Sequence, residues 1–249
     1  MISLIKLDSV DSTSSYLARH LPDAPHGTVV AAREQSAGRG QRGNSWEAAP
    51  GLNVTMSLML RPASLAAVRQ FVLSQAVALA VADTVDTLLP PGMTASVKWP
   101  NDIYVGDRKI AGILIENVLD GARVSRSIVG LGLNVNQARF LSPAPNPVSI
   151  FQLTGLTHDV ESLTMSLAEN IVTLTERALS SPDEAEALAE RYFSRLWRSD
   201  GWWPFHDNLR DTDMIARIDS VDPMGFITLT DRESLAPHVY AFKEISFLL

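Results

Sequence analysis

Four segments of the 249-residue chain carry residue types and spacings that could do chemistry. The first runs Glu34-Gln35-Ser36-Ala37-Gly38-Arg39-Gly40-Gln41-Arg42-Gly43-Asn44-Ser45-Trp46. Its glycines let the backbone approach a ligand closely, and its guanidinium groups can hold carboxylate or phosphate oxygens in two-pronged hydrogen bonds. A small anionic ligand suits such a loop. No Gly-Lys-Ser/Thr follows, so it is not a Walker A loop, and no Gly-x-Gly-x-x-Gly with a following acidic residue is present. Composition alone leaves an exposed, flexible loop as an equal alternative.

The second segment is Lys98-Trp99-Pro100-Asn101-Asp102, followed by Asp107-Arg108-Lys109-Ile110-Ala111-Gly112-Ile113-Leu114-Ile115-Glu116. A lysine that opens an apolar strand stands at the edge of a core, where its ammonium can offset charge building up on a phosphate or carboxylate. Lys109 is that candidate; a lysine merely snorkelling from a hairpin end is the alternative. Lys109 and Gly112 have opposite parity, so simple alternation cannot turn both toward one ligand. In the third segment, residues 128–136, Val129, Leu131, Leu133 and Val135 form one strand face, and Gly130, Gly132, Asn134 and Asn136 form the other. Repeated glycine weakens a strand, which suggests that a ligand or another backbone comes close there, with Asn134 placed to hydrogen-bond it. The fourth, Asp11-Ser12-Thr13-Ser14-Ser15, reads first as a helix N-cap cluster, although its hydroxyls could equally bind a polar ring.

These segments need a scaffold, and the apolar pattern supplies one. Residues 28–32 read as a short buried strand and residues 52–60 as a half-buried one, with Val54, Met56, Leu58 and Leu60 on the core side. A long core helix is expected from Ser64, its N-cap, through Leu65, Val68, Val72, Ala76 and Leu79 toward Pro90-Pro91. A β-meander then covers residues 96–99, 103–105, 109–116 and 127–136. Two helices follow, over about residues 163–179 and from Ser181-Pro182-Asp183-Glu184 onward. Beyond Trp202-Trp203-Pro204, residues 214–219, 226–230, 239–242 and 245–249 read as short strands of a small β-barrel or sheet. The irregular alternation predicts an α+β fold with a mixed sheet, divided into residues 1–206 and 207–249.

Composition narrows the chemistry. The chain has no cysteine, which excludes disulfides, thiolate metal sites and a cysteine nucleophile. Histidines at 20, 26, 158, 206 and 238 are too scattered to suggest a zinc site. A net charge of -7 argues against broad electrostatic attraction to nucleic acid, so any anion site must be local; the Arg33, Arg39 and Arg42 cluster and the Lys98 and Lys109 pair are its candidates. No apolar run reaches about 18 residues, so no membrane segment is expected and the cytoplasm is the expected location.

Taken in order, Ser12-Thr13, Glu34-Gln35 with Gly38-Arg39-Gly40 and Trp46, Lys98-Trp99-Pro100-Asn101-Asp102, Arg108-Lys109 with Ala111-Gly112-Ile113-Leu114, and Gly130 to Asn134 resemble the biotin protein ligase family, in its single-function bacterial form. The closing Tyr240-Ala241-Phe242-Lys243-Glu244 looks like that family's small barrel. The resemblance implies a catalytic domain akin to class II aminoacyl-tRNA synthetases and a C-terminal SH3-like barrel. It implies an ATP-dependent ligase that makes biotinyl-5'-AMP and transfers biotin to a lysine of a biotin carboxyl carrier protein. It also implies that Ser12, Thr13, Ser14, Gln35, Gly38, Arg39, Gly40, Gln41, Lys109 and Gly112 bind biotin, and that Arg39, Arg42, Trp46, Asn101, Asp102, Lys109 and Asn134 bind ATP. The resemblance further implies that Arg39 and Lys109 are the catalytic pair and that Mg2+ arrives as MgATP. Gln41 stands where the family usually has a second arginine, and Ser14 where it often has asparagine.

The nearest competing expectation is a lipoyl or fatty-acyl protein ligase of related fold; a non-enzymatic biotin-binding module is another. The Ser12-Thr13 segment lies so near residue 1 that no DNA-binding domain is expected before it, and a monomer or homodimer is expected.

Overall fold

Alternating and continuous apolar runs build two sheets in the computed structural model, which describes residues 1–40, 46–142 and 145–248. The first sheet contains β1 (Ser3–Val10), β2 (Thr28–Gln35), β3 (Val54–Leu60), β4 (Ala95–Lys98), β5 (Asp102–Val105), β6 (Arg108–Asp120) and β7 (Arg123–Leu133), in the order β1-β2-β3-β7-β6-β5-β4. β1 pairs with β2 in parallel and every other pairing is antiparallel, giving the expected mixed sheet.

β3 is an interior strand, between β2 and β7, and it is buried on both faces rather than one. Val54, Met56, Leu58 and Leu60 join the main core, while Met59 packs with Leu17, Ala24, Val30 and Ile128 in a second, smaller cluster. That second cluster exists because α1 (Thr13–His20) lies across the other face, with Leu17 fully buried. Alternation alone could not reveal this covering helix.

The main-core face is covered by α2 (Phe71–Asp86), α4 (Val160–Ala178) and α5 (Pro182–Ser194). α2 starts later than its pattern predicts, because residues 65 and 66 are diverted into pairing: Val124 N–H donates to Leu65 O, and Ala66 bridges Arg123. Residues 67–86 are also apolar and long enough to resemble a membrane span, contrary to the reading of the sequence, but 72% of that window is buried inside the fold. It is a core helix; each of Leu73 and Leu79, fully buried, contributes roughly 1.5–3 kcal/mol. A short α3 (Ile150–Thr154), closed by a Ser149/Gln152 capping box, has too few residues to show periodicity.

The second sheet comprises β8 (Trp203–Asp207), β9 (Thr212–Val221), β10 (Ile227–Asp231), β11 (Pro237–Tyr240) and β12 (Ile245–Phe247), antiparallel in the order β11-β10-β9-β8-β12. β8 is unexpected because it contains Pro204, but that proline sits near the start of the strand, where it is tolerated. The expected division after residue 206 therefore falls inside β8. This sheet is fastened to the first. Trp99 Nε1 donates to Gly225 O at 3.1 Å, and Trp99 and Phe242 meet edge-on with ring centroids 6.0 Å apart. Gly225, at φ 94°, lies so close to Phe71 that an added Cβ would come within 2.6 Å of its ring.

Candidate active site

The cleft begins where α1 meets the middle of the first sheet. Ser12 caps the helix with its side chain, accepting from Ser15 N–H, so Thr13 and Ser14 enter the first turn facing β3. Both hydroxyls meet Ser57 Oγ at 2.8 Å, and all three side chains are buried. Gln35, at the end of β2, turns its amide oxygen to accept from Thr13 N–H at 2.8 Å and from Thr13 Oγ1 at 3.1 Å. The N-cap and ligand readings of the Ser/Thr run are thus compatible: the cap orients the hydroxyls toward the cleft.

The floor comes from neighbouring strands. Gly132 pairs with Thr55 on one side and Gly112 on the other, and Gly130 with Ser57 and Leu114. The missing side chains are filled from above. A Cβ on Gly130 would come within 2.7 Å of Ser14 Oγ, and one on Gly132 within 2.3 Å of the Trp46 indole. Trp46 lies over this bare face, also 2.9 Å from where a Gly112 Cβ would stand, and its Nε1 is buried without a hydrogen-bond partner among the described residues. The glycine face is closely approached, but by side chains, chiefly the Trp46 indole, rather than by the ligand or backbone that the sequence reading expects.

Lys109 reaches the same place by a device the alternating pattern cannot show. β5 pairs Ile103 with Ala111 but Tyr104 with Lys109, leaving Ile110 as an extra residue in a β-bulge. The bulge shifts the parity, so Lys109 and Gly112 face the cleft together, with Lys109 Nζ 3.4 Å from a Cβ built on Gly112. Lys109 gives its own backbone to another segment, donating N–H to Asn146 O and accepting from Val148 N–H. Its ammonium lies 2.7 Å from Asp102, both side chains being about a third exposed, so this pair is less screened than a surface one.

Arg39 enters from the glycine-rich segment. Its Nη2 bonds Glu116 of β6 at 2.8 Å, and its Nη1 reaches Ser15 Oγ at 3.4 Å. Arg39 and Lys109 line one cleft with Ser12, Thr13, Ser14 and Gln35. Gly40, Trp46, Asp102 and Gly112 border the same space.

Not every expected residue joins them. Asn101 is buried and donates to Ile113 O at 2.8 Å; Asn134 is buried and donates to Val148 O at 2.9 Å. Neither borders the cleft, although Asn134 Oδ1 is left without a partner among the described residues. Gly38 supports Trp46 from behind, accepting its backbone N–H, and is absent from the lining. Gln41 and Arg42 lie outside the described residues. Lys98 sits in a different setting, with Nζ 5.1, 5.5 and 5.6 Å from the rings of Tyr104, Trp197 and Phe247. Burial there pushes its pKa down, against the opposing pull of Asp102.

Five contributors escape the sequence patterns. Ser57 looks like one polar residue of an amphipathic strand, and Glu116 like a strand end. Glu47 anchors the backbone just beyond Trp46, accepting from Leu141 N–H at 2.8 Å and Ser142 N–H at 2.7 Å. Burial alone would raise its pKa, but hydrogen bonds from Ser142, Leu141 and Gln137 outweigh it and hold the carboxyl below its usual range. Lys243, together with Phe242, brings the second sheet into the cleft wall.

Residues 7–134 match the family model described as the biotin/lipoate A/B protein ligase family. The bifunctional ligase/repressor BirA of Bacillus subtilis is 38% identical over 131 residues, covering 53% of this chain and 39% of that protein. This chain thus spans less than half the length of the Bacillus relative. The biotin–[acetyl-CoA-carboxylase] ligase of Paracoccus denitrificans is 37% identical over 168 residues, covering 65% of this chain and 68% of that one. A biotin protein ligase from Aquifex aeolicus, solved in complex with biotin and ATP, superposes with a TM-score of 0.79 over 99% of this chain and 98% of that one, at 21% identity. The structural likeness is one of fold; with the family match over residues 7–134 and the extended Paracoccus alignment, it follows that the chain belongs to the biotin/lipoate A/B protein ligase family.

Proposed function

We propose that the protein is a biotin–[biotin carboxyl carrier protein] ligase, which joins biotin to AMP at the expense of ATP and then passes the acyl group to a lysine of its carrier. The observation that carries this reading is the meeting of Arg39 and Lys109 in one cleft whose far end is a buried cluster of neutral hydroxyl and amide groups. The cationic part suits two anions brought together, and the neutral part suits an uncharged polar ring.

In the first step, a carboxylate oxygen of biotin attacks the α-phosphorus of MgATP and pyrophosphate leaves. Arg39 and Lys109 offset the repulsion between the two anions and the charge that develops on the phosphoryl oxygens. Mg2+ is part of the substrate and neutralises phosphate charge as it arrives. Asp102 orients Lys109 through their ion pair. Trp46 covers the nucleotide and keeps water from the mixed anhydride. In the second step, a carrier lysine attacks the acyl carbon, AMP leaves, and the new amide nitrogen loses a proton. Asn101 and Asn134 act by holding the strands that border the cleft. A catalytic domain of the class II aminoacyl-tRNA synthetase type, an SH3-like second sheet, a cytoplasmic setting and action as a monomer or homodimer without DNA complete the reading.

The hydroxyl cluster favours biotin over lipoate. A ureido ring can exchange hydrogen bonds with Thr13, Ser14, Ser57 and Gln35, whereas a dithiolane ring would cover those groups without replacing their partners. Mass spectrometry of a carrier domain incubated with ATP, Mg2+ and either biotin or lipoate tests this. A mass increase matching one biotinyl group is expected; a lipoyl increase instead, or none with either acid, rejects the reading.

A further inference from the structure

We propose that Lys243, carried into the cleft by the second sheet, binds the phosphate chain of the nucleotide and neutralises the pyrophosphate as it departs. This rests on the reading of the cleft as an adenylate-forming site.

The argument begins with the charges already spoken for. Of the cations lining the cleft, Arg39 is paired with Glu116 and Lys109 with Asp102. Lys243 lines the same cleft, is exposed, and has no ion pair among the described residues. A triphosphate and a carboxylate together bring more negative charge than two cations with carboxylate partners can offset, so an uncommitted ammonium in the wall is the group best able to meet it.

The backbone beneath Lys243 supports the same role. Lys243 has φ 73°, a left-handed conformation in which glycine is the undemanding residue. The turn is held from several sides: Glu244 accepts from Ala241 N–H at 2.7 Å, Glu244 N–H donates to Ala241 O, and Asn208 donates to Lys243 O at 2.8 Å. A long cationic side chain is thus kept at a position where its backbone is disfavoured, at the rim of a binding cleft, which is where such strain is characteristically found. The attachment of this turn through Phe242 and Trp99 ties the placement of the ammonium to the segment that also carries Asp102.

The test compares wild type, Lys243→Gly and Lys243→Arg, using the full chain. Glycine removes the ammonium while relaxing the turn, so the melting temperature should hold or rise. Isothermal titration with ATP and Mg2+ should show Lys243→Gly binding about five- to tenfold more weakly, with biotin affinity unchanged and Lys243→Arg close to wild type. Equal ATP affinity in all three proteins overturns the proposal. So does a defect confined to transfer from preformed biotinyl-adenylate to the carrier, which would assign Lys243 to carrier recognition. If wild type binds ATP through Lys243 yet shows no biotin-dependent exchange of pyrophosphate into ATP, the biotin reading fails and the assignment of Lys243 stands.

Discussion

The two ends of the cleft hold their polar groups in opposite ways. At one end Thr13, Ser14, Ser57 and Gln35 are neutral, largely buried and bonded to one another. At the other, Arg39 and Lys109 are partly exposed and bonded to carboxylates. The first end is preformed, since its geometry is fixed by a helix cap and an interior strand. The second is held in balance: each cation is paired with a carboxylate, and the more exposed Arg39–Glu116 pair costs little to rearrange. On the proposed reading, recognition falls to the rigid end and chemistry to the adjustable one.

Substitutions can break or sharpen this contrast. The largest effect is expected at the charged end, where Lys109→Gln should lower biotin-dependent ATP/pyrophosphate exchange by more than about tenfold, or roughly 1.4 kcal/mol of barrier. Unchanged exchange would remove Lys109 from the chemistry. Next, Gly132→Ala would force its new Cβ against Trp46; overpacking of this kind costs about 1–3 kcal/mol and should show as a lower melting temperature with weakened ATP binding. A normal melting point and normal ATP affinity would mean that the indole does not need the bare strand face.

At the neutral end, Ser57→Ala leaves two buried hydroxyls short of a partner and should raise the KM for biotin about fivefold, a loss of ~1 kcal/mol, while leaving the KM for ATP unchanged. A shift in the ATP value instead would dissolve the division of labour. The smallest effect concerns Glu47. Its folded pKa is depressed, so its stabilisation is present above the ordinary value of 4.5 and is lost as pH falls through the depressed one. Glu47→Gln should melt about 2–4 °C lower at pH 7, the shift expected for ~1 kcal/mol in a chain of this size, with the gap closing in acid. A gap that persists below the depressed pKa would show that charge is not what Glu47 contributes.

Much of this arrangement is readable from the chain alone. The glycine face of β7 and the cationic loop depend on local composition, and local composition is visible in sequence. The mixed sheet and the later helices follow from apolar periodicity, and the last helix also from the start signals at Ser181-Pro182. What escapes is set by tertiary partners. Ser57 becomes part of the site only because α1 crosses β3, and Lys243 only because the second sheet docks through Trp99 and Gly225. Asn134 stands between the two: its position on the glycine face suggests a ligand contact, and the structure bonds its amide N–H to Val148 O while leaving Oδ1 without a partner among the described residues.

The extra residue at Ile110 separates two demands that an unbroken ladder would tie together: full pairing of a hairpin and the direction in which one amine points. Were Ile110 instead paired with Tyr104 in an unbroken ladder, strict alternation would turn the lysine to the far side of the sheet from Gly112. The bulge, and not the pairing of the hairpin as such, therefore sets which way that amine points.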